Sequence, residues 1–85
     1  MLTTEVKSST TATVGANTVY TFNIDVSKTG YTPIGIVGFD ASTSECLPVI
    51  FKLSTNTAVV LVRNVTSSSV TYLCTVTVLY VKNMS

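Results

Sequence analysis

Val70-Thr71-Tyr72-Leu73-Cys74-Thr75-Val76-Thr77-Val78-Leu79-Tyr80-Val81-Lys82 decides the fold class of this chain. Val70, Tyr72, Cys74, Val76, Val78 and Tyr80 share one parity, while Thr71, Thr75 and Thr77 hold the other. Successive strand side chains point to opposite faces, so one row turns inward and the threonine row meets water. Threonine suits that outer row because its β-branch favours extended backbone while its hydroxyl is solvated. The stretch predicts a half-buried β-strand.

Thr18–Ser27 repeats the pattern: Tyr20, Phe22, Ile24 and Val26 are expected inward, Thr21, Asn23, Asp25 and Ser27 outward. Further strands are expected over Glu5–Val14, with a break near Ser8–Ser9, and over Thr32–Phe39, Leu47–Leu53 and Thr57–Val65. Serine and threonine make 26 of 85 residues, and their clusters separate the β-forming runs as turns. No window carries an apolar i, i+3, i+4, i+7 pattern without an equally good period-two reading. Six strands at this spacing indicate an antiparallel sandwich or barrel. The expectation is all-β: one domain over residues 1–85, a small jelly-roll-like antiparallel sandwich of about six strands. Residues 1–17 would form an N-terminal strand or attachment arm, and residues 18–82 the sandwich.

Composition points to company. The chain is 46% hydrophobic but only 11% charged, with a mean hydropathy of +0.51, against about 25% charged residues in ordinary soluble domains. A chain this short has a thin stability margin, and its surplus apolar surface is most simply covered by copies of itself. It lacks the run of about 18 apolar residues that a spanning helix needs. The opening Met-Leu-Thr-Thr-Glu-Val-Lys has neither the basic head nor the apolar segment of a signal peptide. A soluble, non-exported chain without membrane insertion is therefore expected. Lys7, Lys28, Lys52, Arg63 and Lys82 are scattered, giving no basic stripe for nucleic acid.

Catalysis is not expected. Histidine is absent, and Glu5, Asp25, Asp40 and Glu45 are the only carboxylates, so acid–base chemistry lacks its usual groups. Cys74 has no histidine partner to activate it, and no glycine pattern cradles phosphate. No cofactor is expected. Cys46 and Cys74 could close a loop worth about 3–4 kcal/mol, but without an export signal two buried thiols are the favoured reading. Asp40 and Glu45 flank a short loop and offer at most a weak cation clip. Two sequons, Asn64-Val65-Thr66 and Asn83-Met84-Ser85, are explained by chance in so Asn/Ser/Thr-rich a chain.

Four positions or groups remain as candidates for recognition. Arg63 is the one charge in its strand, read as a solvated edge position, with an intersubunit pair to Asp25, Asp40 or Glu45, or a ligand contact, as the alternative. Tyr31 follows a turn glycine and has the best claim among the aromatics to an exposed sugar platform, whereas Tyr20, Tyr72 and Tyr80 are expected in the core with hydroxyls at its rim. Asp40 is the third ligand candidate. Val60, Leu61 and Val62 are the interface candidates, because both parities of Ala58–Val65 are apolar and the strand is expected to be covered on both sides.

Gly30-Tyr31-Thr32-Pro33-Ile34-Gly35-Ile36-Val37-Gly38-Phe39 reads as a turn and a proline-initiated strand, with bulges or close backbone approach at Gly35 and Gly38. This stretch resembles a signature in small β-structured modules of tailed bacteriophages, found at the tips of tail or head fibres. Leu61-Val62-Arg63-Asn64, the turn Thr66-Ser67-Ser68-Ser69 and the closing strand Val76–Lys82 extend the likeness over Val19–Lys82. The chain departs from those modules in its short Asp40–Glu45 loop. The resemblance implies a virion structural protein made in a bacterial host: a homotrimeric fibre-tip or head- or tail-fibre module. It would contact other virion proteins and a host-surface glycan. A capsid decoration protein and a free-standing carbohydrate-binding module are the alternatives.

Overall fold

The computed structural model describes residues 1–84; Ser85, the last position of the second sequon, lies outside them. The described residues are all-β and contain no helix. Eight strands follow in order: β1 (Leu2–Ser8), β2 (Ala12–Val14), β3 (Val19–Asp25), β4 (Tyr31–Ala41), β5 (Cys46–Ser54), β6 (Thr57–Asn64), β7 (Val70–Tyr72) and β8 (Cys74–Lys82). They form three antiparallel sheets ordered β1-β8-β4, β3-β6-β5 and β2-β7.

Eight strands rather than six arise from two breaks. The first expected strand divides after Ser8, and the last divides at Leu73. At this corner the Ser9 N–H donates to the Cys74 carbonyl at 2.8 Å, and the Cys74 N–H donates to Ser9 Oγ at 3.1 Å. A serine hydroxyl thus takes the place of a ladder carbonyl while both strands change sheets together. The N-terminal segment is therefore paired into the sheets, β1 along β8 and β2 along β7. Parity survives the break: Val70, Tyr72, Cys74, Val76, Val78 and Tyr80 are all buried.

The core joins these to Val14 of β2 and to Phe22, Ile24, Val26, Cys46, Ala58, Val60 and Val62 from the β3-β6-β5 side. Tyr20, expected inward, is 39% exposed. It sits at the open end of β3 with its ring against Phe22, 4.8 Å between centroids. Tyr72 and Tyr80 are buried to their hydroxyls rather than holding them at a rim. Tyr80 reaches the Val26 carbonyl at 2.6 Å, and Tyr72 has no partner.

One buried polar side chain organises the other end. Asn64 Nδ2 donates to the carbonyls of Val14 (3.1 Å) and Ser68 (2.8 Å), and its Oδ1 accepts from Thr66 N–H (2.9 Å) and Thr66 Oγ1 (2.7 Å). Two donors and two acceptor sites are all used, which is the full capacity of an asparagine amide. The residue read from sequence as part of a sequon is instead the knot tying β2, β6 and the Thr66–Ser69 turn.

Candidate functional site

The two larger sheets meet along two seams of opposite character. On one side lie edge strands β1 and β3. Here Glu5 pairs with Lys28 at 2.6 Å and with Lys7 at 3.0 Å. The Lys28 hydrogen bond, then that of Lys7, holds the Glu5 carboxyl below its ordinary range. Asp25 is held low as well, chiefly by the Ser27 N–H. Charges at sheet edges oppose pairing with foreign strands.

The other seam is formed by edge strands β4 and β5, where only Asp40 and Lys52 are charged. Phe39 and Phe51 close it from inside. Their in-register partners, Val76 and Val60, are core residues, and their rings meet edge-to-face at 4.9 Å. An apolar notch of about 240 Å³ lies there between Ile36, Gly38, Phe39 and Phe51.

Three bulges shape this seam. The register against β8 slips between Pro33 and Gly35 and between Ile36 and Gly38; that of β5 against β6 slips between Pro48 and Ile50. Ile34, Val37 and Val49 are therefore the extra residues, with no partner across the ladder. A bulge re-aims the side chain it carries, and here each one presents a large aliphatic group to solvent. Leu47, Ile50 and Phe51 of β5 are open as well, so that six large apolar side chains on the two strands are each 44–59% exposed. Both prolines of the chain, Pro33 and Pro48, sit at these bulges, so the two outer backbones cannot offer an unbroken row of donors.

The sequence-derived candidates fall in different places. Val60 and Val62 are fully buried inside a single chain. This corrects their assignment as interface residues, because no surface remains for a neighbour. Only Leu61 of that trio lies on the outer face, half-buried. Arg63 is exposed, but its strand β6 is the centre of its sheet, flanked by Val19 and Leu47, and not an edge. The ion pairs among the described residues are those of Glu5, so Arg63 meets none of Asp25, Asp40 and Glu45 within the chain. The Asp40 carboxylate accepts from Ala41 N–H at 2.9 Å and that of Glu45 from the Thr43 hydroxyl at 3.1 Å, each serving its own turn.

Tyr31 is half-buried rather than free, edge-on to Tyr80 at 6.5 Å, with Lys28 Nζ 5.1 Å from its ring centre. Cys46 and Cys74 are unbridged and buried, and burial pushes both thiols up. The glycines flagged the bulges in sequence. The outward aim of Ile34, Val37 and Val49 was hidden, because it depends on register between strands far apart in the chain. A scan against protein-family models, a search of curated proteins and a search of solved structures each return no match, and none ties the chain to the phage modules its sequence resembles.

Proposed function

We propose that the protein is a non-enzymatic structural module of a bacteriophage virion, a small antiparallel β-sandwich that assembles as a homotrimer through its β4–β5 seam. One observation carries the assembly reading: all three bulge residues of the edge strands, Ile34, Val37 and Val49, are aliphatic and exposed. Large aliphatic side chains exposed on two adjoining edge strands favour an interaction surface, and a bulge kept only to blunt an edge would be served as well by a polar residue. Shape adds to this. The chain extends 51 × 18 × 17 Å with a radius of gyration of 13.9 Å, above the about 12 Å of a compact chain this long. So elongated a body leaves much of its apolar surplus outside.

Because prolines and bulges interrupt both edges, contact between copies rests on side-chain packing and not on continuing the sheet. The virion setting, as a fibre-tip or fibre-like module touching other virion proteins, rests on the sequence likeness of Gly30–Phe39 and Leu61–Lys82.

Sedimentation equilibrium at micromolar concentration tests the assembly. The native chain is expected to be trimeric, and the double variant Val37→Asp, Val49→Asp monomeric with its β-sheet circular dichroism retained. A monomeric native chain, or a trimeric double variant, overturns the proposal.

A further inference from the structure

A second surface feature lies at the end of the molecule where β4 begins, the β5–β6 hairpin turns and the chain leaves β8. It is a cleft of about 530 Å³, within the about 300–1,000 Å³ of small-molecule sites. Its walls differ in kind. Tyr31, Ile34 and Leu53 supply an apolar side, while Thr32, Thr55, Asn56 and Asn83 supply hydroxyls and carboxamides. No lining residue is charged. Lys28, at the Tyr31 ring, is already bound to Glu5, and Lys82 stands beside the cleft as the ladder partner of Tyr31.

The polar side is held in place. Asn83 Oδ1 accepts from the Thr32 hydroxyl, and Asn83 N–H donates to the Gly30 carbonyl at 2.9 Å. With its oxygen engaged, Asn83 turns two Nδ2 donors elsewhere. The hairpin is fixed from below by Val26 N–H donating to the Asn56 carbonyl at 2.9 Å. At its tip Thr55 stands at φ 55°, a conformation that costs a β-branched residue energy and ordinarily falls to glycine. Such outliers gather where a side chain is needed, and glycine would remove the hydroxyl from this rim.

We propose that this cleft binds a neutral sugar, a pyranose whose C–H face lies on Tyr31, Ile34 and Leu53. Its hydroxyls bond Thr32, Thr55, Asn56 and Asn83. The paired amides and hydroxyls both donate and accept, which matches the mixed character of a sugar hydroxyl. The lack of lining charge disfavours carboxylated or phosphorylated ligands, whose desolvation would go uncompensated. All lining residues come from one chain, so the site is complete in a monomer; of the six exposed apolar side chains of the β4–β5 seam, Ile34 alone lines it.

The test is a titration of the ¹⁵N-labelled full chain with methyl glycosides of glucose, galactose, mannose and N-acetylglucosamine, and with glucuronate as the charged comparison. Saturable shifts are expected from at least one neutral glycoside, confined to the amides around Tyr31, Thr32, Thr55, Asn56 and Asn83. Asn56→Ala and Thr32→Val should each weaken binding about tenfold, with the remaining spectrum unchanged. The Val37→Asp, Val49→Asp variant, which keeps Ile34 and every other lining residue, should bind at least as tightly as the native chain. No saturable shift from any neutral glycoside, tighter binding of glucuronate, or undiminished native affinity in both cleft variants overturns the site.

Discussion

Tyr80 donates its phenolic O–H to the Val26 carbonyl at 2.6 Å, while Tyr72, eight residues earlier on the same buried row, has a hydroxyl with no partner. The two tyrosines sit in one core and carry opposite energetic signs. Removing the Tyr80 hydroxyl leaves a buried carbonyl unpaired, whereas removing that of Tyr72 deletes a polar atom that only costs desolvation. Tyr80→Phe should lose about 1–2 kcal/mol in urea unfolding. Tyr72→Phe should be neutral or stabilising, and a loss as large as that of Tyr80→Phe would show that Tyr72 is satisfied after all.

Alkaline stability follows from the same pair. Burial pushes Tyr72 up to about 12 from its ordinary 10.0, and burial raises Tyr80 as well. A group with a raised folded pKa favours the fold fully below its unfolded value, and that advantage disappears as pH rises through the folded one. Stability should therefore begin to fall above pH 9.0, where the thiols of Cys46 and Cys74 ionise more readily in the unfolded chain, and fall further between 10.0 and about 12, at up to about 1.4 kcal/mol per pH unit for each tyrosine involved. Unfolding midpoints measured across that window should fall less steeply in Tyr72→Phe. A native profile that stays flat there contradicts the assignment.

Asn64 is expected to be the most sensitive polar position. Asn64→Ala removes the side-chain donor to the Val14 carbonyl and the acceptor of the Thr66 N–H, and leaves the Ser68 carbonyl with the Thr66 hydroxyl alone, which should cost about 3 kcal/mol. Asn64→Asp keeps the acceptor and exchanges both donors for charge, so it should be no better. Thermal melts of both variants check this, and a shift smaller than that of Tyr80→Phe would count against the knot.

Two glycines separate close approach from open space. A Cβ on Gly38 would stand 3.0 Å from Thr77 Oγ1 and 3.1 Å from Thr77 Cβ, while one on Gly35 meets nothing within 4 Å. Gly38→Ala should cost about 1–2 kcal/mol through crowding, and Gly35→Ala should stay within about 0.5 kcal/mol of native. Equal unfolding midpoints for the two variants would refute the distinction.

Thr55→Gly should stabilise the fold by about 0.5–1 kcal/mol, the relief at φ 55° exceeding the added freedom of the unfolded chain. Differential scanning calorimetry reads this directly, and a lowered melting temperature would show that the threonine is unstrained.

Period-two patterning made the interior legible wherever a strand alternates cleanly. Val70–Tyr80 and Phe22–Val26 point inward as their parity requires, and the glycines of Gly35–Gly38 announced irregular pairing. Where both parities are apolar, as in Ala58–Val62, composition alone could not say which row is inside. Pairing with β3 and β5 settles it, sending Val60 and Val62 to the core. The serine pair announced the break after Ser8, but the one at Leu73 escaped notice because a strand that changes partners keeps its alternation. Asn64 was unreadable for a related reason: its four hydrogen bonds include one to Val14, fifty residues away.

Each unpaired residue at Ile34, Val37 and Val49 has a consequence for how such a chain can vary over generations. Losing one of them would leave every flanking pair facing its present neighbour, since the ladder already skips that position. Single-residue insertions and deletions are thus absorbed at three hinges of the outline without inverting a strand. Descendants differing in length there could keep one interior while meeting quite different companions.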